Sequence, residues 1–309
     1  MDFVSKRKWF FIFSAIVILV GIVSMSIAPR FKVGIEFEGG SALSLNFAQE
    51  VDEDRLRSFM SDLGHGQAVV QQVGDTGVLI RTTTLEGPDN DGGESERDAI
   101  EERLTEEFGT IETSELSAVS EAVAKETIRN AGIAVGVASL FIMIYISFAF
   151  RLMANSMRLG VAAIVAALHD VVITLGIFSI LGKVIDLEVN AMFITGILTV
   201  VGYSVHDTIV VFDRIRENTG RRVSRDMSTT INTSIMETVG RSLTTSLTTL
   251  TVIVALLLMG GGTIESLLYT LLIGVIVGTY SSIAIASQLL LVWEERGMNP
   301  FRRHEEAEA

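Results

Sequence analysis

The chain has 309 residues, 49% of them hydrophobic, and a mean hydropathy of +0.46, which excludes an ordinary water-soluble protein. It contains no cysteine, so disulfides, thiol catalysis and thiolate metal sites are excluded as well. The net charge of −13 is concentrated: residues 31–130 carry 22 Asp and Glu against 8 Lys and Arg, while the other 15 acids and 16 bases nearly cancel.

A hydrocarbon core roughly 30 Å thick takes about 20 apolar residues per helical crossing. The first such run is 9–28, behind Lys6, Arg7 and Lys8. It is too long for the core of a cleavable signal, and no small-residue cleavage site follows before Pro29-Arg30, so it reads as a first membrane helix. Residues 29–128 then read as a compact α+β domain. Ser41–Phe47 alternates as a strand with Leu43, Leu45 and Phe47 on one face. Asp52–Leu63 carries Leu56, Phe59, Met60 and Leu63 at helical spacing. Two strand-like runs, Ala68–Val73 and Val78–Thr83, flank Gly74-Asp75-Thr76-Gly77. The stretch 87–93, Gly-Pro-Asp-Asn-Asp-Gly-Gly, is rich in turn residues and reads as a loop. Ser95 opens a second helix with Asp98 placed as in a capping box, and Ile100, Leu104 and Phe108 form its buried stripe. Glu112–Val119 closes the sheet. The order βαββαβ predicts a ferredoxin-like split unit, a fold that by itself names no function.

Five more apolar runs follow at 131–150, 159–182, 189–212, 242–260 and 267–292, giving a five-helix bundle over 129–294 and a tail over 295–309. Gly132/Gly136 and Gly274/Gly278 are small-residue pairs that suit close helix packing within the chain. Orientation follows from Lys and Arg near helix ends. Arg151 and Arg158 lie between the second and third helices, and Arg214, Arg216, Arg221, Arg222 and Arg225 between the fourth and fifth. Arg296, Arg302 and Arg303 follow the sixth, on the same side as Lys6–Lys8. The opposite short loops offer Lys183 alone, so both termini are expected in the cytoplasm and 29–128 outside it. The Arg214–Arg225 cluster reads as a topology signal in contact with lipid headgroups. Five lysines against 19 arginines, with an acidic outer block, suggest a salt-adapted and archaeal source.

Ionisable groups inside a membrane are costly and mark function. Three sites qualify: His169-Asp170 in the third helix, His206-Asp207 in the fourth and Arg241 opening the fifth. A carboxylate in low dielectric resists ionisation and a nearby guanidinium favours it, so an Asp whose Arg approaches or withdraws is a switchable proton site. The bland alternative is that these residues pin helices together, with Asp207 accepting from Tyr203, Ser204 or Thr208 and Arg241 reaching the headgroups. Two aspartates on neighbouring helices also suit an intramembrane aspartyl protease, but the Gly-x-Gly-Asp signature is absent, since Gly202-Tyr203-Ser204-Val205-His206 precedes Asp207. A metal site would need a hydrophilic pocket that these helices lack. No nucleophile elbow and no phosphate loop are present, so neither an enzyme nor a cofactor is expected.

Several segments resemble the SecF family of export proteins. Gly34-Ile35-Glu36-Phe37-Glu38-Gly39-Gly40 is similar to its Gly-Ile-Asp-Phe-x-Gly-Gly motif, with Gly34, Glu36, Gly39 and Gly40 at the defining positions. Leu168–Gly176 resembles the third-helix signature, and Val201–Asn218, with Asp207, Asp213 and Arg214, the fourth helix and its exit. Arg241–Ser246 and Gly274–Ser282 resemble the last two helices. Position 206 is His where the family usually has Asn, and Leu116–Thr127 replaces a Phe-Val-Gly-Pro-x-Val-Gly segment, so the family's hinge detail does not carry over. The resemblance implies half of a pseudo-symmetric transporter that pairs with SecD beside a SecYEG-type channel in the lipid membrane. It implies use of ion-motive force to draw preproteins outward, with Asp207 and Arg241 as the coupling pair. A half-transporter for lipids or small molecules is the transport rival, though a single lobe of about 100 residues is small for it. A purely structural brace for the channel is another. No nucleic-acid partner is implied.

Expressed alone, residues 33–118 are expected to fold as a soluble βαββαβ unit that requires high salt, because its excess negative charge repels itself. Circular dichroism across a salt series checks this; full stability in dilute buffer removes the salt-adaptation reading.

Overall fold

The computed structural model describes residues 2–28, 30–74, 76–85, 95–151, 156–259 and 264–295. The 87–93 loop, Asp75, Pro29 and the tail arginines at 296, 302 and 303 lie outside them. Six helices are long and apolar enough to cross a membrane: α1 (Arg7–Ser26), α5 (Glu121–Ala149), α6 (Ser156–Val184), α7 (Ala191–Gly220), α8 (Met227–Met259) and the composite Glu265–Glu294. The last comprises α9 (Glu265–Ser281), a π-helical turn (Ser282–Ala286) and α10 (Ser287–Glu295). The chain is a multi-pass membrane protein. Polar caps set the starts of two spans: Ser120 accepts from Val123 N–H, and Asn190 from Phe193 N–H. The helix assigned to begin at 129 therefore starts at Glu121, one residue beyond the domain's last strand.

Between α1 and α5 lies the α+β domain. Its strands are β2 (Gly40–Phe47), β3 (Val69–Val73), β4 (Gly77–Thr82) and β5 (Ile111–Val119), all antiparallel in the order β3-β4-β2-β5. Helices α3 (Glu53–Asp62) and α4 (Glu96–Phe108) complete the ferredoxin-like βαββαβ unit. Asp52 caps α3 and Ser95 caps α4, each side chain accepting the N–H three residues on. The period-2 face of β2, Leu43, Leu45 and Phe47, is buried against Leu56, Met60, Ile100, Leu104 and Phe108. The opposite face of β4 carries Arg81 towards the membrane helices.

In the bundle α6, α7 and the composite last span are central, while α1, α5 and α8 turn broad apolar faces outward. Missing side chains let the central helices meet. A Cβ on Gly21 would lie 2.9 Å from the Cα of Gly176, so α1 and α6 cross backbone to backbone. A Cβ on Gly274 would collide with the Val200 side chain, and one on Gly278 would come within 3.1 Å of Ser204 Cβ. The Gly274/Gly278 pair thus packs α9 on α7. At Gly132 and Gly136 a Cβ would meet nothing within 4 Å.

Three devices join domain to bundle. The two-residue strands β1 (Lys32–Val33) and β6 (Glu188–Val189) pair in parallel, with Lys32 in an ion pair with Asp186. The single turn α2 (Ile35–Glu38) ends at Gly39 and Gly40, with φ of +81° and +121°, a backbone that glycine adopts without strain. A Cβ on Gly40 would lie 2.5 Å from the Thr82 carbonyl oxygen, and one on Gly39 3.2 Å from the Glu121 backbone. Finally, Arg81 of β4 forms a buried ion pair with Glu188. Burial lowers the proton affinity of Arg81, while Glu36, Glu38 and Asp186 act against that shift.

Arg81→Ala leaves the buried Glu188 without its partner, and an unpaired buried charge costs about 3–5 kcal/mol. Hydrogen exchange is expected to rise across β1, β6 and α2, whereas the double change Arg81→Met with Glu188→Leu restores protection. Unchanged exchange in Arg81→Ala removes the pair from the junction's support.

Candidate functional site: two buried carboxylates in the helix bundle

Both aspartates singled out from the sequence are buried, and their surroundings differ. Asp170, on α6, is fully enclosed. Its Oδ2 accepts from the Ser204 hydroxyl of α7 at 2.5 Å and from the Ser281 hydroxyl of α9 at 2.6 Å. Its Oδ1 lies 2.8 Å from Nδ1 of His169, whose Nε2 is 3.0 Å from Ser14 Oγ on α1. Ser14 contacts the Tyr280 hydroxyl at 3.1 Å, and Tyr280 donates to the Phe10 carbonyl at 2.9 Å. One carboxylate thus gathers α1, α6, α7 and α9.

Asp207, on α7, is buried with a single recorded partner, the Ser282 hydroxyl, which donates to Oδ2 at 2.6 Å. Ser282 opens the π turn and Ser281 closes α9, so adjacent serines hold the two carboxylates. Such wide turns occur disproportionately at functional sites. Ser287 donates to the Ser282 carbonyl at 2.7 Å, within the same turn. None of the local donors expected for Asp207 reaches it. Ser204 lies one turn away but points to α6, Tyr203 contacts Ser246 at 3.0 Å, and the buried Thr208 hydroxyl has no partner. His206 is exposed on the outward face of α7.

Arg241 is exposed on α8 and forms no ion pair with Asp207. It borders a cavity of about 350 Å³ between α7 and α8, along with Asp213, Arg214, Glu217 and Glu237. Arg214 pairs with Glu217 and with Glu237, the latter at 2.6 Å, and Arg216 pairs with Asp213 at 2.7 Å. Arg221 pairs with Glu217 at 2.6 Å. The expected headgroup cluster is therefore, at Arg214, Arg216 and Arg221, an ion-pair network on the protein's own acids. Sequence reasoning missed Glu217, whose i,i+3 and i,i+4 spacing to Arg214 and Arg221 gives a signal, and Glu237, 23 residues from Arg214, for which no local spacing does. It also missed Ser281 and Ser282, for which only the clustering of serines in an apolar span gives a hint. Among the described residues no three His, Asp or Glu side chains gather as a metal site. The motif residues Gly34, Glu36, Gly39 and Gly40 stand apart at the domain junction, with Gly34 N–H donating to the Val189 carbonyl at 2.9 Å.

The family model described as protein export membrane protein SecD/SecF, C-terminal, matches residues 99–296. The chain belongs to the SecF family. The protein translocase subunit SecF of Thermobaculum terrenum is 38% identical over 100% of this chain and 99% of its own length. Among other relatives, the SecF subunit of Vibrio alginolyticus is 35% identical over 100% of this chain. The Bacillus subtilis translocase subunit SecDF is 35% identical over 96% of it but only 38% of its own length. A crystal structure of SecDF from Thermus thermophilus, a translocon-associated membrane protein, superposes with a TM-score of 0.80 at 33% identity. It covers 96% of this chain, which spans 39% of that longer one. In SecDF proteins a SecF-like part is therefore fused to additional chain.

The two carboxylates differ in how much they hold. Asp170→Ala removes the acceptor shared by Ser204, Ser281 and His169 and is expected to cost about 3–5 kcal/mol, while Asp207→Ala removes one contact of Ser282, whose hydroxyl keeps the Thr279 carbonyl at 3.0 Å, and costs about 1 kcal/mol. Thermal unfolding of the purified protein in detergent ranks the two variants; equal losses remove the distinction.

Proposed function

We propose that the chain is the SecF-type accessory subunit of a Sec protein translocase and couples an ion gradient to late steps of protein export. Family membership over the whole chain supports the translocase assignment. Fusion of the SecF-like part to additional sequence in SecDF relatives supports SecD as the partner. The chain acts beside a SecYEG-type channel, on a preprotein emerging from it, and performs no bond-breaking chemistry. Both termini face the cytoplasm and the α+β domain lies outside, consistent with the arginines that gather opposite the domain.

The coupling site is Asp207 with Arg241. The single observation that carries this is the poverty of Asp207's surroundings: a buried carboxylate held by one hydroxyl, with no cation in contact, in the middle of a span. An approaching guanidinium would supply the opposite charge that this buried carboxyl lacks. Arg241, exposed on α8 beside the cavity it shares with Asp213 and Glu237, is the cation that would approach or withdraw. His206, beside Asp207, is exposed on the outward face of α7. The α+β domain, seated on the junction through Arg81 and β6, is the lever that such a change would move.

Export measured with and without an ion gradient is expected to lose its gradient-dependent increment in Asp207→Asn. Arg241→Ala is expected to be similarly defective, and the double variant little worse than either, because a coupled pair is lost once. Strictly additive defects, or normal export by Asp207→Asn, sink the coupling assignment and leave the family unaffected.

A further inference from the structure

The hydrogen bonds around His169 count protons as well as contacts. A hydroxyl has one proton to give. Tyr280 gives its own to the Phe10 carbonyl, so in the 3.1 Å contact with Ser14 the serine is the donor. Ser14 then has nothing left for His169, and the 3.0 Å contact at Nε2 requires the ring to donate there. At the other edge of the ring, Nδ1 and Asp170 Oδ1 are 2.8 Å apart. Two bare acceptors repel at that distance, so a proton lies between them, on the nitrogen or on the oxygen. Ser204 and Ser281 both donate to Oδ2 and leave Oδ1 to the ring. Ring and carboxyl together therefore hold one proton more than a neutral imidazole beside an ionised aspartate, and the pair is electrically neutral.

The surroundings require the same count. Asp170 is fully buried, and its recorded ion-pair partner is His169. Trp9–Ser26 of α1, Asn130–Ala149 of α5 and Ser266–Val292 of the last span contain no charged residue. On α7 the nearest ionisable groups are His206, which faces outward, and Asp207, which is held by Ser282. On α9 it is Tyr280, already part of the chain. A net negative charge with no cation to answer it is strongly disfavoured in such a site.

We propose that His169 and Asp170 jointly bind one proton, forming a second proton site apart from Asp207, and that release of this proton reverses the Ser14–Tyr280 relay. When the proton leaves to water, Nδ1–H donates to the carboxylate and Nε2 becomes an acceptor for Ser14. Tyr280 then has one proton for either Ser14 or the Phe10 carbonyl and loses its bond to the other. Unloading the site thus removes a hydrogen bond between α1 and α9. The same event reaches Asp207 through adjacent residues, since Ser281 serves one carboxylate and Ser282 the other. This deepens the ion-coupling reading, but it uses neither Arg241 nor export.

The test is nitrogen NMR of histidine-labelled full-length protein in lipid vesicles, combined with infrared spectroscopy of protonated carboxyls. The His169 signal is identified by its loss in His169→Gln, and the Asp170 band by its loss in Asp170→Asn. Near neutral pH, Nε2 of His169 is expected to be protonated, together with either a protonated Nδ1 or a neutral Asp170 band. Raising the pH converts the ring to the Nδ1–H form alone. Tyr280→Phe costs the loaded state two hydrogen bonds and the unloaded state one, so the conversion moves to lower pH by about one unit. A ring that is Nδ1–H alone from about pH 5 to 9 overturns the proposal. A midpoint that Tyr280→Phe leaves unmoved overturns the relay. Asp207→Asn leaves the count at His169 intact, so failure of the coupling site and failure of this proton site are read separately.

Discussion

A carboxyl group in a dry helix bundle has to be met by donors, and around Asp170 that requirement fixes four elements at once. Ser204 brings α7 and Ser281 brings α9, while His169 passes the demand through Ser14 to α1. Without a hydrophobic driving force between helices in lipid, packing and such polar contacts hold the bundle. The glycines make the contacts reachable. Gly278 lies against Ser204 and 3.7 Å from Asp170 Oδ2 as a Cβ would see it, so a larger residue there would push apart the donors and their acceptor.

The two carboxylates divide labour by how completely they are satisfied. Asp170 is over-determined, and its network has defined directions. Asp207 has one hydroxyl and a π turn whose spacing departs from the α-helical ladder, which leaves its surroundings free to rearrange. Adjacent serines tie the two sites together, so a rearrangement at the softer one is felt at the stiffer.

At the opposite end of the lever, the domain is attached by few contacts of high cost. The glycines of the motif at 34–40 have a steric role. They permit a one-turn helix to reverse into β2 against the Thr82 carbonyl and the Glu121 backbone. Beside this turn the Arg81–Glu188 pair is buried from both sides, and β5 passes into α5 through Ser120 alone.

Much of this was legible along the chain. Apolar runs of membrane-spanning length marked all six helices, because burial in lipid needs only local composition. Alternation at Leu43, Leu45 and Phe47 and helical spacing at Ile100, Leu104 and Phe108 gave the domain's strands and helices, since one buried face imposes its period on the sequence. The cost of ionisable groups in a membrane picked out Asp170 and Asp207. What each of them touches was decided only in three dimensions. Ser204 lies three residues before Asp207 yet serves Asp170, and Ser281, 111 residues away in sequence, completes the same site. Helix rotation and crossing, set by where Gly21, Gly176, Gly274 and Gly278 let backbones touch, direct these hydroxyls, and no local pattern encodes them. Arg81 and Glu188 likewise read as ordinary surface charges in sequence, and only the seating of the sheet on the α6–α7 loop buries them together.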